Sequence, residues 1–147
     1  MKKVFNEGPS GGTGGKSFVD DAIDYDGVYL KEIRVRSGKR IDSIQCIYEE
    51  SDGHTYIGPT NGGSGGESNH FILDDDEFIQ EVRGRYGSRL DSIQFITDRQ
   101  QSPVYGGSGG GSQFRYMAPE NFEIIGFFGR AGEEVDAIGV ILRNRDN

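Results

Sequence analysis

The chain has 147 residues, enough for one domain with a sizeable hydrophobic core, and its formal net charge is −8. The negative charge argues against a nucleic-acid partner and against an anionic membrane surface, because both attract basic protein faces. Glycine is frequent at 24 residues, yet the 7 tyrosines, 9 phenylalanines and alternating aliphatic residues indicate a packed domain rather than a disordered chain.

Neither a membrane-spanning segment nor a secretory signal is recognisable in the sequence. No apolar run approaches the roughly 20 residues that cross a bilayer, so membrane insertion is not expected. Residues 1–9 contain two lysines with no hydrophobic stretch behind them. We therefore expect a cytoplasmic protein, or one that acts outside the cell after leaderless release or removal of a leader. The single cysteine, Cys46, excludes an intrachain disulfide, and its apolar alternation position predicts a small core residue.

The predicted elements are short strands in chain order. In the first third we predict strands over residues 4–5, 18–19, 28–36 and 41–48, with a break at residues 8–9 and an acidic loop over residues 20–27. Further strands are predicted over residues 71–73, 78–85, 93–97, 114–116, 124–129 and 136–143, with turns at residues 74–77 and 119–121. No segment shows the apolar spacing of a helix, so the sequence predicts an all-β fold.

One frame occurs three times, at residues 38–46, 87–95 and 132–140. It consists of glycine, two free polar positions, an aliphatic residue, aspartate, and then alternating small and apolar residues. A glycine cluster precedes each copy, at residues 11–15, 62–66 and 106–110. Two markers that recur in register indicate one module repeated three times, over about residues 10–55, 56–103 and 104–147, within a single domain. Three small sheets that cover one another's apolar faces predict a three-sided prism.

Several chemical sites are weakly suggested and then argued against by the sequence. Residues 10–17, SGGTGGKS, nearly match a phosphate-binding loop, but Ser10 replaces the first glycine and a strand rather than a helix is predicted to follow. The acidic residues at 20–26 lack calcium-loop spacing, and residues 74–77 are expected to be a solvated hairpin tip. His54 and His70 are isolated in the sequence. We therefore expect no metal and no other cofactor.

The two markers have a binding interpretation and two structural alternatives. A tight glycine turn exposes backbone N–H groups, and the aspartate that follows adds two acceptor oxygens, so one small loop offers what vicinal sugar hydroxyls need. A glycine-rich loop opposite would let backbone approach the sugar closely. The clusters could instead be flexible linkers, although their constant distance from the aspartate frame argues against it. The Gly-x-x-x-Asp frame could also be a purely structural turn.

The segment IGFFGRAGEEVDAIGV, residues 125–140, resembles the C-terminal motif of jacalin-related lectins of the mannose-binding branch, and the resemblance extends over essentially the whole chain. It implies a β-prism I fold: three four-stranded Greek-key sheets with pseudo-threefold symmetry, the two termini sharing one sheet. It also implies that each sugar lies between a Gly-x-x-x-Asp loop and the last glycine of a cluster. The implied first site is Gly15 with Glu133, Glu134 and Asp136, the second is Gly66 with Lys39, Arg40 and Asp42, and the third is Gly110 with Ser88, Arg89 and Asp91. The aspartates would act through their carboxylates and the paired polar residues through backbone N–H groups.

The resemblance implies a binding protein without catalysis, whose partners are mannose- or glucose-type glycans and glycoproteins. Galactose-specific members have a cleaved chain with a new N-terminal glycine in the site, whereas the first cluster here lies well inside the chain. A structural or protein-interaction prism with vestigial sites remains an alternative, as does a glycoside hydrolase, because carboxylate pairs are not excluded by composition. The sequence leaves open whether the chain forms a homodimer or a higher homo-oligomer.

Overall fold

The computed structural model describes residues 3–21 and 25–145. Its thirteen named elements are all β-strands, which confirms the all-β prediction. Within these residues, no helix has the length and apolar character to span a bilayer. The strands are β1 (Val4–Gly11), β2 (Lys16–Val19), β3 (Val28–Ser37), β4 (Ile41–Glu50), β5 (Thr55–Ile57), β6 (Asn61–Gly62), β7 (Glu67–Ile72), β8 (Ile79–Tyr86), β9 (Leu90–Thr97), β10 (Tyr105–Gly106), β11 (Ser112–Met117), β12 (Phe122–Ala131) and β13 (Val135–Asn144).

Three antiparallel hairpins form the centre of the fold, and each has flanking strands on both sides. Hairpin β3–β4 has β7 beside β3 and both β5 and β6 beside β4. Hairpin β8–β9 has β11 beside β8 and β10 beside β9. Hairpin β12–β13 has β2 beside β12 and β1 beside β13, so the two chain ends share one sheet as predicted.

The strand groups differ from three separate four-stranded sheets in two respects. A single backbone pair, Ile124 with Ile79, links the β12–β13 group to the β8–β9 group, so hydrogen bonding gives one eight-stranded and one five-stranded sheet. The five-stranded group gains its extra member because β5 and β6 are two separate short strands on β4. The threefold arrangement survives in the register, since each hairpin carries two shifts at equivalent positions.

The core lies where the inner faces of the three groups meet. The predicted inward residues Ile33 and Val35 are fully buried, as is Cys46 on the return strand. Phe95 of β9 contacts Phe71 of β7 and Phe127 of β12, with ring centroids 5.7 Å and 5.9 Å away. One aromatic side chain therefore joins all three groups, and the hairpins hold one another in place as a rigid body.

Three details of the sequence reading are corrected. The first strand does not end at residues 8–9, because Pro9 lies at a register shift of the edge strand β1, where a missing N–H is tolerated. Asp20 begins the predicted acidic loop directly after β2, but its side chain is buried. Glu77 is likewise buried, since its carboxylate accepts hydrogen bonds from the Thr97 hydroxyl (2.6 Å) and the Asp74 N–H (2.7 Å). The residues at 22–24 of the predicted acidic loop lie outside the described residues.

Candidate functional site

The three hairpins end in the same tight turn. In each, the N–H of the frame glycine donates a hydrogen bond to the carbonyl two residues later, and the aspartate is the second residue of the return strand. The side chain of the aspartate therefore lies at the tip of the prism rather than along its side. The bonds run from Gly38 to Arg40 (3.0 Å), from Gly87 to Arg89 (3.0 Å) and from Gly132 to Glu134 (2.9 Å).

A glycine cluster lies against each of these tips. The strands on the two edges of one hairpin, such as β1 and β2 beside β13 and β12, are joined by a cluster that crosses over the tip. The N–H of the second cluster glycine donates to the carbonyl of the site aspartate, which fixes the distance between the two loops. These bonds join Gly12 to Asp136 (2.9 Å), Gly63 to Asp42 (2.8 Å) and Gly107 to Asp91 (3.0 Å).

The last residue of each cluster is glycine because a Cβ there would collide with the site carboxylate and with the backbone of the adjacent hairpin. A Cβ on Gly15 would lie 2.7 Å from Oδ2 of Asp136, closer than real side chains approach. A Cβ on Gly66 would lie 2.5 Å from Oδ2 of Asp42, and a Cβ on Gly110 would lie 2.8 Å from Oδ2 of Asp91. All three glycines have positive φ, from +66° to +89°, which residues with a Cβ seldom adopt. The structure thus brings each predicted glycine to its predicted aspartate.

Two of the site carboxylates are largely enclosed and the third, Asp42, is half-buried, but none of them accepts a hydrogen bond from another described residue. Asp91 and Asp136 are each 8% exposed. In the part of the chain that the structure describes, no hydrogen bond ends on the carboxylate oxygens of Asp42, Asp91 or Asp136. Enclosed carboxylates usually have hydrogen-bond partners, so these three are poised to accept hydrogen bonds from a ligand.

Backbone donors surround each carboxylate. The six polar residues named for the sites lie at the exposed or half-exposed hairpin tips. Among the turn and loop hydrogen bonds of residues 3–21 and 25–145, none is donated by the backbone N–H groups of these residues or of the three last cluster glycines. Each site therefore offers one carboxylate and three backbone N–H groups that none of these turn and loop hydrogen bonds uses. The polar residues are Lys39 and Arg40, Ser88 and Arg89, and Glu133 and Glu134.

An arginine that sequence reasoning missed orients each cluster. Arg130 donates from Nε to the Gly14 carbonyl (3.0 Å) and from Nη2 to the Gly15 carbonyl (2.9 Å). Because the C=O of Gly14 and the N–H of Gly15 point in opposite directions across one trans peptide, holding that carbonyl turns the Gly15 N–H away from the arginine. Arg36 holds the carbonyls of Gly65 and Gly66 (2.9 and 2.8 Å), and Arg85 holds those of Gly109 and Gly110 (3.3 and 2.6 Å).

The three sites lie next to one another at one end of the prism. A Cβ on Gly12 would lie 2.1 Å from the Ser88 carbonyl oxygen, so the cluster of the first site touches the hairpin tip of the third. The cluster of the second site touches the tip of the first in the same way, and the cluster of the third touches the tip of the second. A Cβ on Gly63 would lie 2.2 Å from the Glu133 carbonyl oxygen, and a Cβ on Gly107 would lie 2.4 Å from the Lys39 carbonyl oxygen. The six loops form a closed ring, which we call the loop end.

The other sequence candidates have structural explanations. Ser10 lies in strand β1 and Lys16 in strand β2, so residues 10–17 do not have the strand–loop–helix context of a phosphate-binding loop. Each histidine was predicted to be isolated, but each has a carboxylate partner in the structure. His54 Nδ1 lies 2.8 Å from Asp52 Oδ2, and His70 Nδ1 lies 2.6 Å from Glu32 Oε2. Glu50, Asp52 and His54 lie close together on the β4–β5 connection, but this acidic group is largely exposed.

Buried charged groups elsewhere in the molecule serve the fold. The carboxylate of Asp20 accepts hydrogen bonds from the Phe127 N–H (2.9 Å), Cys46 Sγ (3.3 Å) and Asn61 Nδ2 (3.4 Å). Burial raises the pKa of Asp20 to about 6, and these hydrogen bonds only partly oppose that effect. Arg143 is 2% exposed; it donates to the Val28 carbonyl (2.7 Å) and to Glu123 (3.1 Å).

Comparison with known proteins agrees with this geometry. The family model of the jacalin-like lectin domain matches residues 7–141. The structure of wild-type Malaysian banana lectin superimposes with a TM-score of 0.82 at 27% identity, covering 97% of this chain and 100% of that chain. A mannose-specific jacalin-related lectin from Morus nigra, solved in complex with mannose, superimposes with a TM-score of 0.81 at 30% identity, covering 95% and 94%. These matches confirm the predicted β-prism fold.

One curated relative has a different description. A putative zinc metalloproteinase of Schizosaccharomyces pombe is 26% identical over 112 residues, which are 76% of this chain but only 17% of that protein. Neither histidine of the present sequence begins a His-Glu-x-x-His zinc motif, since Thr55 follows His54 and Phe71 follows His70. The family match covers most of the sequence, and the chain belongs to the jacalin-like lectin domain family.

Proposed function

We propose that this protein is a lectin that binds mannose-type glycans at three sites, without a metal ion and without catalysis. The observation that carries the proposal is the enclosed carboxylate under open glycine backbone, found three times with the same geometry at Asp42, Asp91 and Asp136. The mannose complex of the Morus nigra relative supports the choice of sugar. The composition of the sites favours binding over catalysis, because each site has a single carboxylate whose partner groups are backbone amides.

Each site matches the hydrogen-bonding needs of vicinal sugar hydroxyls. A hydroxyl donates one hydrogen bond and accepts others, so two neighbouring hydroxyls can both donate to the carboxylate while accepting from the three N–H groups. Hydrogen bonds to an ionised acceptor are about twice as strong as neutral ones, and the aspartate therefore makes the largest single contribution. Because the cluster residues are glycine, the space beside Oδ2 of the aspartate that a Cβ would occupy stays free for the sugar.

The sites are shallow, so affinity for a single sugar should be low, with a Kd of about 1 mM, or about −4 kcal/mol. Three adjacent sites on one rigid body can bind several branches of one glycan, which raises the apparent affinity by roughly 10²–10⁴-fold. We therefore expect branched oligomannose glycoproteins, rather than free monosaccharides, to be the effective partners.

Isothermal titration with methyl α-mannoside tests this proposal. Three sugars should bind per chain, and the variant Asp42→Ala/Asp91→Ala/Asp136→Ala should bind none while unfolding at a similar urea concentration. The control variant Asp52→Ala/Asp75→Ala/Asp98→Ala removes the same charge from exposed positions away from the loop end and should keep all three sites. Undiminished mannose binding by the site variant would contradict the assignment. A glycan array with no signal from the folded protein would favour a protein-interaction role, and release of reducing sugar from oligomannose would indicate a hydrolase.

A further inference from the structure

The three hairpin tips meet at a cluster of charged side chains that makes the sites unequal. Arg40, Arg89 and Glu134 occupy the same position in the three copies of the frame, two residues before the site aspartate. Nη1 of Arg89 lies 2.7 Å from Oε1 of Glu134, and Nη1 of Arg40 lies 3.7 Å from the same oxygen. We call these three side chains the central triad.

The two arginines of the central triad also lie near the aspartate of a neighbouring site. Nε of Arg40 lies 3.6 Å from Oδ1 of Asp91 in the third site. Nε of Arg89 lies 3.8 Å from Oδ1 of Asp136 in the first site. These distances are too long for hydrogen bonds, so each guanidinium places a positive charge beside a site carboxylate without occupying its lone pairs.

The second site has an anion where the other two have a cation. Its Asp42 faces Glu134, and the pKa of Asp42 is raised, chiefly by burial and then by the negative charge of Glu134, while Arg36 of β3 opposes the rise. Cluster-holding arginines equivalent to Arg36 occur in all three sites, so the difference comes from the central triad. An aspartate must be ionised if both of its carboxylate oxygens are to accept hydrogen bonds from sugar hydroxyls.

We propose that the central triad grades the sugar affinities of the three sites. Glu134 makes the affinity of the Asp42–Gly66 site the lowest and the first to be lost on acidification, whereas Arg40 and Arg89 maintain the affinities of the other two sites. This inference rests on the proposed lectin function. It assigns Arg40, Arg89 and Glu134 as positioning residues that act through the charge of the site aspartates, in addition to the backbone role predicted for each. As the pH falls from neutral, the second site would accordingly lose its sugar before the other two do.

Three variants with one site each measure the grading directly. Asp91→Ala/Asp136→Ala keeps only the second site, Asp42→Ala/Asp136→Ala only the third, and Asp42→Ala/Asp91→Ala only the first. At neutral pH we expect the second site to bind methyl α-mannoside roughly threefold more weakly, given the modest worth of partly exposed charge interactions. As the pH is lowered from neutral, its affinity should fall before that of the other two, with a several-fold larger loss where the three profiles differ most.

Replacing Glu134 distinguishes a charge effect from a packing effect. The acid limb of a binding profile is the part in which sugar affinity falls as the pH is lowered. In the variant that keeps only the second site, Glu134→Gln should move this limb to lower pH, towards the acid limbs of the other two sites. Glu120→Gln removes the same charge from an exposed turn at the far end of the prism and should leave the profile unchanged. If the double variants fold poorly, the unmodified chain supplies the same test, since its stoichiometry should fall from three to two on acidification and Glu134→Gln should keep it at three.

The outcomes separate the two proposals. Three sites with equal affinity and the same acid limb would overturn the grading and leave the lectin function intact. An acid limb of the second site that does not respond to Glu134→Gln would also overturn the grading. Absence of mannose binding by the unmodified chain at neutral pH would overturn the lectin function and the grading with it.

Discussion

Two aspartates of this chain, Asp136 and Asp20, show how differently an enclosed carboxylate can be used. Both are less than a tenth exposed. Asp20 accepts three hydrogen bonds from within the protein, including one from the Phe127 backbone, and so it joins β2 to β12 and β4. No internal hydrogen bond in the described residues ends on the Asp136 carboxylate, which lies beside the glycine backbone of its cluster and 3.8 Å from Nε of Arg89.

The difference separates the part of the molecule that maintains the fold from the part that we propose binds sugar. Burial alone does not identify a site, because the more deeply enclosed carboxylate is the structural one. Unused hydrogen-bonding capacity identifies it better, and threefold repetition strengthens the inference. Substitutions in the interior should therefore change stability without changing the binding constant, and substitutions at the loop end should do the reverse.

The largest stability effect is expected from Arg143→Ala in the interior. The substitution leaves the Glu123 carboxylate and the Val28 carbonyl without their buried partner, and breaking such a buried pair typically costs about 3–5 kcal/mol. Arg143 lies seven residues beyond Asp136 along β13, about 23 Å at the usual strand rise. Urea unfolding should show the full loss, while the sugar affinity of the remaining folded protein stays unchanged.

A matched arginine on the surface provides the control for that experiment. Arg99 is about half exposed and lies 3.6 Å from Asp98, so Arg99→Ala should cost less than about 1 kcal/mol. Equal losses in the two variants would mean that the Arg143 contacts do not stabilise the fold. Weaker mannose binding by Arg143→Ala would show that the loop end depends on the interior, against the separation argued above.

The next effect depends on pH and comes from Asp20. Its folded-state pKa of about 6 lies above the ordinary value of 3.8, so the folded state binds the proton more tightly than the unfolded state. The associated stability is fully present below about pH 3.8 and is lost as the pH rises through about 6, a change of about 3 kcal/mol. Asp20→Asn removes the titrating group, so its stability relative to the unmodified chain should rise by that amount between about pH 4 and pH 7.

Urea unfolding at several pH values measures this difference. Asp76→Asn, at an exposed turn whose charge does not contribute to the pKa of Asp20, should follow the pH dependence of the unmodified chain. If the Asp20→Asn curve also runs parallel to that of the unmodified chain, the carboxylate is ionised with no penalty in the folded state. The sharp contrast between Asp20 and Asp136 would then disappear.

The parts of the loop end that could be predicted from sequence are those that recur. The glycine clusters and the Gly-x-x-x-Asp frames repeat at nearly constant spacing, which predicted the threefold prism, whereas the pairing of Gly15 with Asp136 followed from the resemblance to jacalin-related lectins. The orienting arginines were equally visible: Arg36, Arg85 and Arg130 each stand two residues before the frame glycine. They were overlooked because an arginine that alternates outward on a strand looks like an ordinary solvated residue.

Other features could not be predicted, because they depend on contacts between distant parts of the chain. Asp20 is followed by Asp21 in an acidic stretch, and only the packing of β2 against β12 shows that its side chain is buried. The meeting of Arg40, Arg89 and Glu134 likewise requires the three tips to converge. Pro9 suggested the end of a strand, whereas the edge position of β1 allows the strand to pass through it.

The most local effect on binding is expected from Gly66→Ala. Both Gly66 and Gly27 have φ of +72°, so alanine at either position should cost about 1 kcal/mol from backbone strain. At Gly66 the new Cβ would also lie 2.5 Å from Oδ2 of Asp42 and 2.5 Å from the Ser37 carbonyl oxygen, whereas the nearest atom at Gly27 is 3.5 Å away. Gly66→Ala should therefore lower the urea midpoint more than Gly27→Ala does, and calorimetry on the folded proteins should show two sugars bound per chain for Gly66→Ala and three for Gly27→Ala. Three sugars bound by both variants would mean that the second site tolerates a side chain over its carboxylate, and the open backbone above Asp42 would no longer explain why the clusters are built of glycine.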